Sequence, residues 1–221
     1  MSDDNLFTVK DCALISIATA EKAVTLTELR DRLQSVSADS IYHHFWGGLL
    51  VPRFEEREFN NDFAGWVRHS LWDSVLAERL AVIDPVAYQD PEVLRQELLD
   101  VIEERLDESE TSNWLRGTRQ FEFIRSQIVV FDTGRRLERP EDLVEQIPLM
   151  STSSIFYHFI DARRRLPDGS DDFRFWLCSF GSEYEPLSRK LAEIDPFFSS
   201  LSQIRQELAT LAERHFSGGV S

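Results

Sequence analysis

Ser40 and Ser154 each stand four residues ahead of a histidine, in the near-identical segments Ser40-Ile41-Tyr42-His43-His44-Phe45 and Ser154-Ile155-Phe156-Tyr157-His158-Phe159. On a helix that spacing puts hydroxyl and imidazole on one face. An aspartate follows each pair, Asp62 and Asp172, where a further helix is expected to begin. A hydroxyl, an imidazole and a carboxylate in one place are the nucleophile, base and orienter of acyl transfer. The surroundings argue against that chemistry: neither serine sits on a strand-to-helix elbow, and no oxyanion-hole glycine accompanies it. A histidine amid Ile, Tyr and Phe reads more simply as a core imidazole, hydrogen-bonded to a carboxylate and pinning two helices together.

Other constellations meet the same test. His43, His44, Glu58 and Asp62 are ligand types for zinc or iron. Tyr157 replaces His43 in the second segment and no His-Glu-x-x-His occurs, so no metal is expected. Asp84 and Asp195, each before a proline, read as turn formers. The alternative is a carboxylate pair meeting across a pseudo-twofold axis. Trp66 and Trp176 lie one turn into matched helices and are expected in the core, with a stacking platform as the alternative. Arg163, Arg164 and Arg165, with Arg135, Arg136 and Arg139, form the main basic concentration. They would suit a phosphate or sugar phosphate, or else pair with acidic residues of the first half. No Gly-rich phosphate loop or other cofactor motif is present, and no cofactor is expected.

These residues are positioned by a repeat. A shift of 114 residues carries Phe7 onto Phe121, Leu29 onto Leu143 and Leu33 onto Ile147, as well as Ser40 onto Ser154. After a four-residue deletion, Asp62-Phe63-x-x-Trp66 meets Asp172-Phe173-x-x-Trp176, and Arg95-Gln96-Glu97-Leu98 later meets Arg205-Gln206-Glu207-Leu208. Two tandem domains are expected, 5–107 and 119–217, joined by a polar linker at 108–118 in which Trp114 is the residue expected to dock.

The period reads as helical. Phe121, Ile124, Ile128 and Phe131 fall on one helical stripe, with Gly134 as a C-terminal cap. The matching stretch Phe7–Ala20 is less regular, and Ala13–Ile17 would pass for a strand; the cleaner copy sets the expectation. Thr25 with Glu28 forms a capping box, Pro140 opens the matching helix, and Asn61-Asp62 and Asp171-Asp172 supply N-caps. Amphipathic helices close each copy at about Pro91–Leu106 and Leu201–Phe216. The expected fold is all-α: two homologous domains of five to six short helices, related by a pseudo-twofold.

Composition narrows the function. The formal net charge is −15, and residues 1–110 hold 10 Lys+Arg against 23 Asp+Glu while residues 111–221 hold 14 against 16. So negative a chain repels phosphate backbones, and no nucleic acid is expected. No apolar run approaches a membrane span and no signal peptide is visible, so a soluble cytoplasmic protein without membrane attachment is expected. Cys12 and Cys178 fall at different points of the repeat, which excludes a disulfide framework.

The Ser-Ile-Tyr-His-His segment, followed by Asn61-Asp62-Phe63-Ala64-x-Trp66-Val67, then Leu80-x-x-Ile83-Asp84 and Leu94-Arg95-x-x-Leu98, resembles a bacterial domain family of unknown function. Its members carry S-I-[FY]-[YH]-H before N-D-F-A-x-W-V. The resemblance covers most of residues 7–106; the second copy departs from it at Asp171, Arg174 and Leu177. It implies a helical domain, present here as two tandem copies, and no activity or cofactor. The expected function is a non-catalytic cytoplasmic interaction or regulatory module with an unknown protein partner. The alternative is a small-molecule binder or enzyme with a pocket near the matched histidines, taking an anionic ligand such as a sugar phosphate.

Overall fold

The computed structural model describes residues 5–51, 58–88, 90–108, 114–197 and 199–218. It is not all-α. Two long strands, β1 (Phe7–Thr25) and β2 (Arg116–Leu137), pair into one two-stranded sheet. Thr19 Oγ1 donates to the Phe123 carbonyl and Thr133 Oγ1 to that of Val9, so the strands run antiparallel.

The expected helices over Phe7–Ala20 and Phe121–Phe131 are thus overturned, for a visible reason. Phe121 and Phe123 are buried with Glu122 exposed between them, a period of two, whereas Phe131 of the supposed stripe is 49% exposed. The β-branched run Ile128-Val129-Val130 favours a pleated backbone, and the pairing partner lies more than a hundred residues away. Gly134 is no helix cap either. It sits within β2 at φ 77°, beside an Asp132 that accepts its N–H.

The matching residue Ala20 carries the same left-handed backbone, φ 65°, without the freedom of glycine. In both strands the preceding threonine hydroxyl accepts the next N–H, Thr19 from Glu21 and Thr133 from Arg135. That turn fixes the conformation, and a Cβ there costs roughly 1–2 kcal/mol. Ala20→Gly is therefore expected to stabilise the protein by about 1 kcal/mol and Gly134→Ala to destabilise it by about as much. Urea melts of the two variants check this; equal midpoints would show that neither strand resists the side chain.

The chain forms two compact units, residues 14–127 and residues 1–13 with 128–221. The first holds α1 (Leu26–Leu33), α2 (Ala38–Trp46), α3 (Asp62–Trp66), α4 (Ser74–Ala81) and α5 (Pro91–Glu108). Its core gathers Leu29, Ile41, Phe45, Phe63, Leu80 and Ile102 around Phe121 and Phe123. Thr25 and Glu28 cap α1 reciprocally, Oγ1 accepting the Glu28 N–H and the Glu28 carboxylate that of Val24. Arg95, from α5, donates to the Leu33 and Val36 carbonyls and so closes the other end of α1.

The other unit holds α6 (Leu143–Gln146), α7 (Thr152–Ile155), α8 (Ala162–Arg165), α9 (Asp172–Cys178), α10 (Glu185–Ala192) and α11 (Leu201–Ser217). A π-helical turn, Phe156–Asp161, joins α7 to α8. Here Phe156, Phe159, Phe173, Leu187 and Ile204 pack around Phe7 and Val9. Arg205 takes the place of Arg95, donating to the Met150 carbonyl at 2.8 Å.

Of the expected linker, Glu108 ends α5, Arg116–Thr118 open β2, and residues 109–113 lie outside the described residues. Trp114, expected to dock, is 84% exposed.

Candidate functional site

Ser40 and His44 project from one face of α2, and Asp62 is the first residue of α3, whose N-cap is Asn61. The three side chains do come together, but around backbone. Ser40 Oγ donates to the Ile124 carbonyl at 2.8 Å, and the Ile124 N–H donates to His44 Nε2 at 3.2 Å. His44 Nδ1 lies 3.0 Å from Asp62 Oδ2. In the other unit Ser154 Oγ donates to the Lys10 carbonyl at 2.7 Å, the Lys10 N–H donates to His158 Nε2 at 2.9 Å, and His158 Nδ1 lies 2.7 Å from Asp172 Oδ2. Each Ser–His pair therefore clasps the N–H and C=O of one strand residue, taking the place of a further strand at an edge that would otherwise be open.

That geometry fixes the tautomer. An Nε2 that accepts an N–H carries no proton, so the imidazole proton sits on Nδ1 and points at the carboxylate. The lone pair that a general base would offer a serine is occupied, and each serine proton is engaged by a carbonyl. Rings seal the arrangement: Phe121 and Phe63 lie 4.7 and 5.2 Å from the His44 ring, Phe7 and Phe173 lie 4.8 and 5.8 Å from that of His158. Trp66 and Trp176 extend the clasp, their indole N–H groups donating to the Arg119 and Asn5 carbonyls at 2.8 and 2.9 Å.

His43, His44 and Asp62 bring ligand atoms within 4.8 Å of one another. They do not suit a cation. Coordination through His44 Nδ1 would move its proton to Nε2, opposite the Ile124 N–H, setting two donors face to face. Glu58, the fourth expected ligand, pairs instead with His69 at 2.8 Å.

Arg163, Arg164 and Arg165 are engaged within their own unit. Arg164 and Arg165 both bind Asp161, which is 1% exposed, and Arg165 also reaches Asp172 and lies over the Tyr157 ring. Arg163 donates to the Phe159 carbonyl and covers that ring. Cys12 is equally passive, its thiol pushed up to about 12 by burial and then by Asp11 and Asp161.

Among the described residues, a cleft of about 900 Å³ opens within the unit of residues 14–127. Phe59, Asp62, Trp66, His69 and Trp72 line it, with Glu58 at one wall and β2 at Thr118–Gln120. Asp62, at 41% side-chain exposure, is held by His44 at the cleft wall. The sequence pointed to Asp62, Trp66 and Glu58; it missed His69 and Trp72. The one available signal was a large aromatic directly before the helix-starting Asp73.

A family model matches residues 4–213, described as a family of unknown function (DUF5752). The match runs through both halves of the chain, where one family domain per half had been expected. Among solved structures, "The structure of OrfY from Thermoproteus tenax", an archaeal protein, is similar at 25% identity over 97% of each chain, with a TM-score of 0.83. No curated protein matches. Among the described residues, no helix is long and apolar enough to cross a membrane.

Proposed function

The chain belongs to this family of unknown function, and from that premise we propose that it is a non-catalytic interaction or regulatory module of the cytoplasm, grown from an internal duplication whose matched Ser, His and Asp side chains clasp strands. One observation carries the reading. Both His Nε2 atoms accept a backbone N–H and both Ser Oγ atoms donate to the carbonyl of the same residue. No group of either set is left to take a proton from its serine, so the triad pattern supplies architecture rather than chemistry.

A fluorophosphonate probe tests this directly, because it labels serines that a neighbouring imidazole has activated. Neither Ser40 nor Ser154 is expected to react in the folded protein. Stoichiometric labelling of either, abolished by His44→Ala or His158→Ala, would overturn the reading. Affinity capture from native cytoplasm is expected to return a stoichiometric protein partner.

A further inference from the structure

Each half of the sequence holds the opening of the other half's strand. The 114-residue shift carries Asn5 onto Arg119 and Lys10 onto Ile124. Trp66 and His44, from the first half, hold Arg119 and Ile124. Trp176 and His158, from the second, hold Asn5 and Lys10. The strand openings are thus exchanged.

In the unit of residues 1–13 and 128–221, the arm of residues 5–13 is seated as a ligand would be. Phe7, Val9 and Cys12 are 5, 0 and 4% exposed. Phe7 stacks on Phe173 at 5.2 Å and meets Trp176 at 5.3 Å. Ser151 Oγ donates to Asp11 at 2.8 Å, and the Cys12 thiol to the Ser153 carbonyl at 3.3 Å. Past Cys12 the hold ends: no residue of β1 from Ala13 to Lys22 is buried. The chain joins this arm to its own groove only by way of residues 14–127.

The groove also selects its occupant. The segment that matches Phe7-Thr8-Val9-Lys10 is Phe121-Glu122-Phe123-Ile124. Seated here, it would force a phenyl ring into the place where Val9 is wholly enclosed. An identical chain offers the right strand with every contact of the unit kept, the condition under which exchange between copies costs little. Val129, Val130 and Phe131 of β2, at 42, 41 and 49% exposure, add apolar surface for a second chain to cover.

We propose that this groove is a strand-acceptor site whose partner is a second copy of the chain: two molecules exchange residues 5–13 reciprocally and form a homodimer. This goes beyond the non-catalytic reading and does not depend on it, since the exchange needs the clasp whether or not Ser40 or Ser154 proves reactive. The chain's own arm competes at an effective concentration on the order of millimolar, so exchange is favoured when folding takes place in concentrated solution.

Refolding the full chain from urea at about 1 mM is expected to give a species of twice the monomer mass by light scattering. The Lys10 amide then reports which surface joins the copies. In an isotope-labelled His158→Ala chain this N–H has lost its acceptor, and its resonance is expected to move from the wild-type position. Refolded with excess unlabelled wild type, the labelled arm enters an intact groove, and in the dimer fraction the Lys10 resonance is expected to return to that position. Ser154→Ala, read at the Lys10 carbonyl carbon, serves in the same way should His158→Ala unfold. Monomer alone after concentrated refolding would overturn the proposal. So would a dimer in which the Lys10 signal of the variant stays where it lies in the variant by itself.

Discussion

His158→Ala is expected to lower stability by about 3 kcal/mol, and His44→Ala by about 2 kcal/mol, without unfolding either unit outright. The imidazoles are equally buried, 3% exposed, so the ordering comes from their partners. His158 holds Lys10 and Asp172 at 2.9 and 2.7 Å, while His44 holds Ile124 and Asp62 at 3.2 and 3.0 Å. Removing either ring strands a backbone N–H, a loss of ~1–3 kcal/mol, and takes away the proton donor of an aspartate. Asp62 can turn to water, being 41% exposed, but Asp172 is 18% exposed and keeps only Arg165.

Ser154→Ala and Ser40→Ala should cost less, about 1 kcal/mol each, because a carbonyl tolerates a lost donor better than an N–H tolerates a lost acceptor. In a double-mutant cycle the serine and histidine of one clasp should couple, since they hold the same strand residue. Denaturant melts measure both. Midpoints within error of the wild type for His158→Ala would mean that the clasp holds nothing, and would reopen a functional role for the ring.

Asp171→Asn is expected to do the opposite and stabilise the protein by about 2 kcal/mol at pH 8, with no gain at pH 4. Asp171 is fully buried; Oδ1 caps α9 by accepting the Arg174 N–H at 2.9 Å, and Oδ2 has no partner. Burial pushes its carboxyl up to about 6, against a weaker opposing pull from the Arg174 N–H and the Arg163 and Arg174 charges. A carboxyl whose folded pKa is raised binds its proton more tightly in the folded chain. Its contribution to stability is therefore fully present below the unfolded value near 4 and is lost as pH rises through about 6.

The first half shows the remedy. Asn61, at the matched position, caps α3 through Oδ1 and donates from Nδ2 to the Leu80 carbonyl at 2.9 Å. An amide does both tasks without a charge to bury. Because other carboxylates titrate in the same range, the measurement is the stability difference between variant and wild type, followed from pH 4 to pH 8. A difference that stays flat across that range would show that Asp171 does not carry the pH dependence assigned to it.

Much of the candidate site was legible before any coordinates. Ser40, His44 and Asp62 were grouped by helical spacing and an N-cap signal, and Ser154, His158 and Asp172 by the repeat; the structure brings each trio together. Helix starts were legible for the same reason, because a cap is a local event: Thr25, Asn61 and Asp171 each bind an N–H three residues on. What each trio holds was not legible. The expected picture was of imidazoles pinning helix to helix; each one does reach the aspartate that opens the next helix, and in addition it clasps a strand, which was not foreseen.

The amino-acid sequence alone determined everything that depends on a few neighbouring residues: the matched positions, the caps, the buried faces of the later helices, and the negative field of the first half. Only the tertiary structure decided that Phe7–Thr25 and Arg116–Leu137 are strands, because a spaced set of apolar residues fits either period until a partner supplies the backbone hydrogen bonds. It also decided which segment each clasp receives. His44 meets Ile124 and His158 meets Lys10, and a pairing across 80 or 148 residues leaves no trace in local spacing.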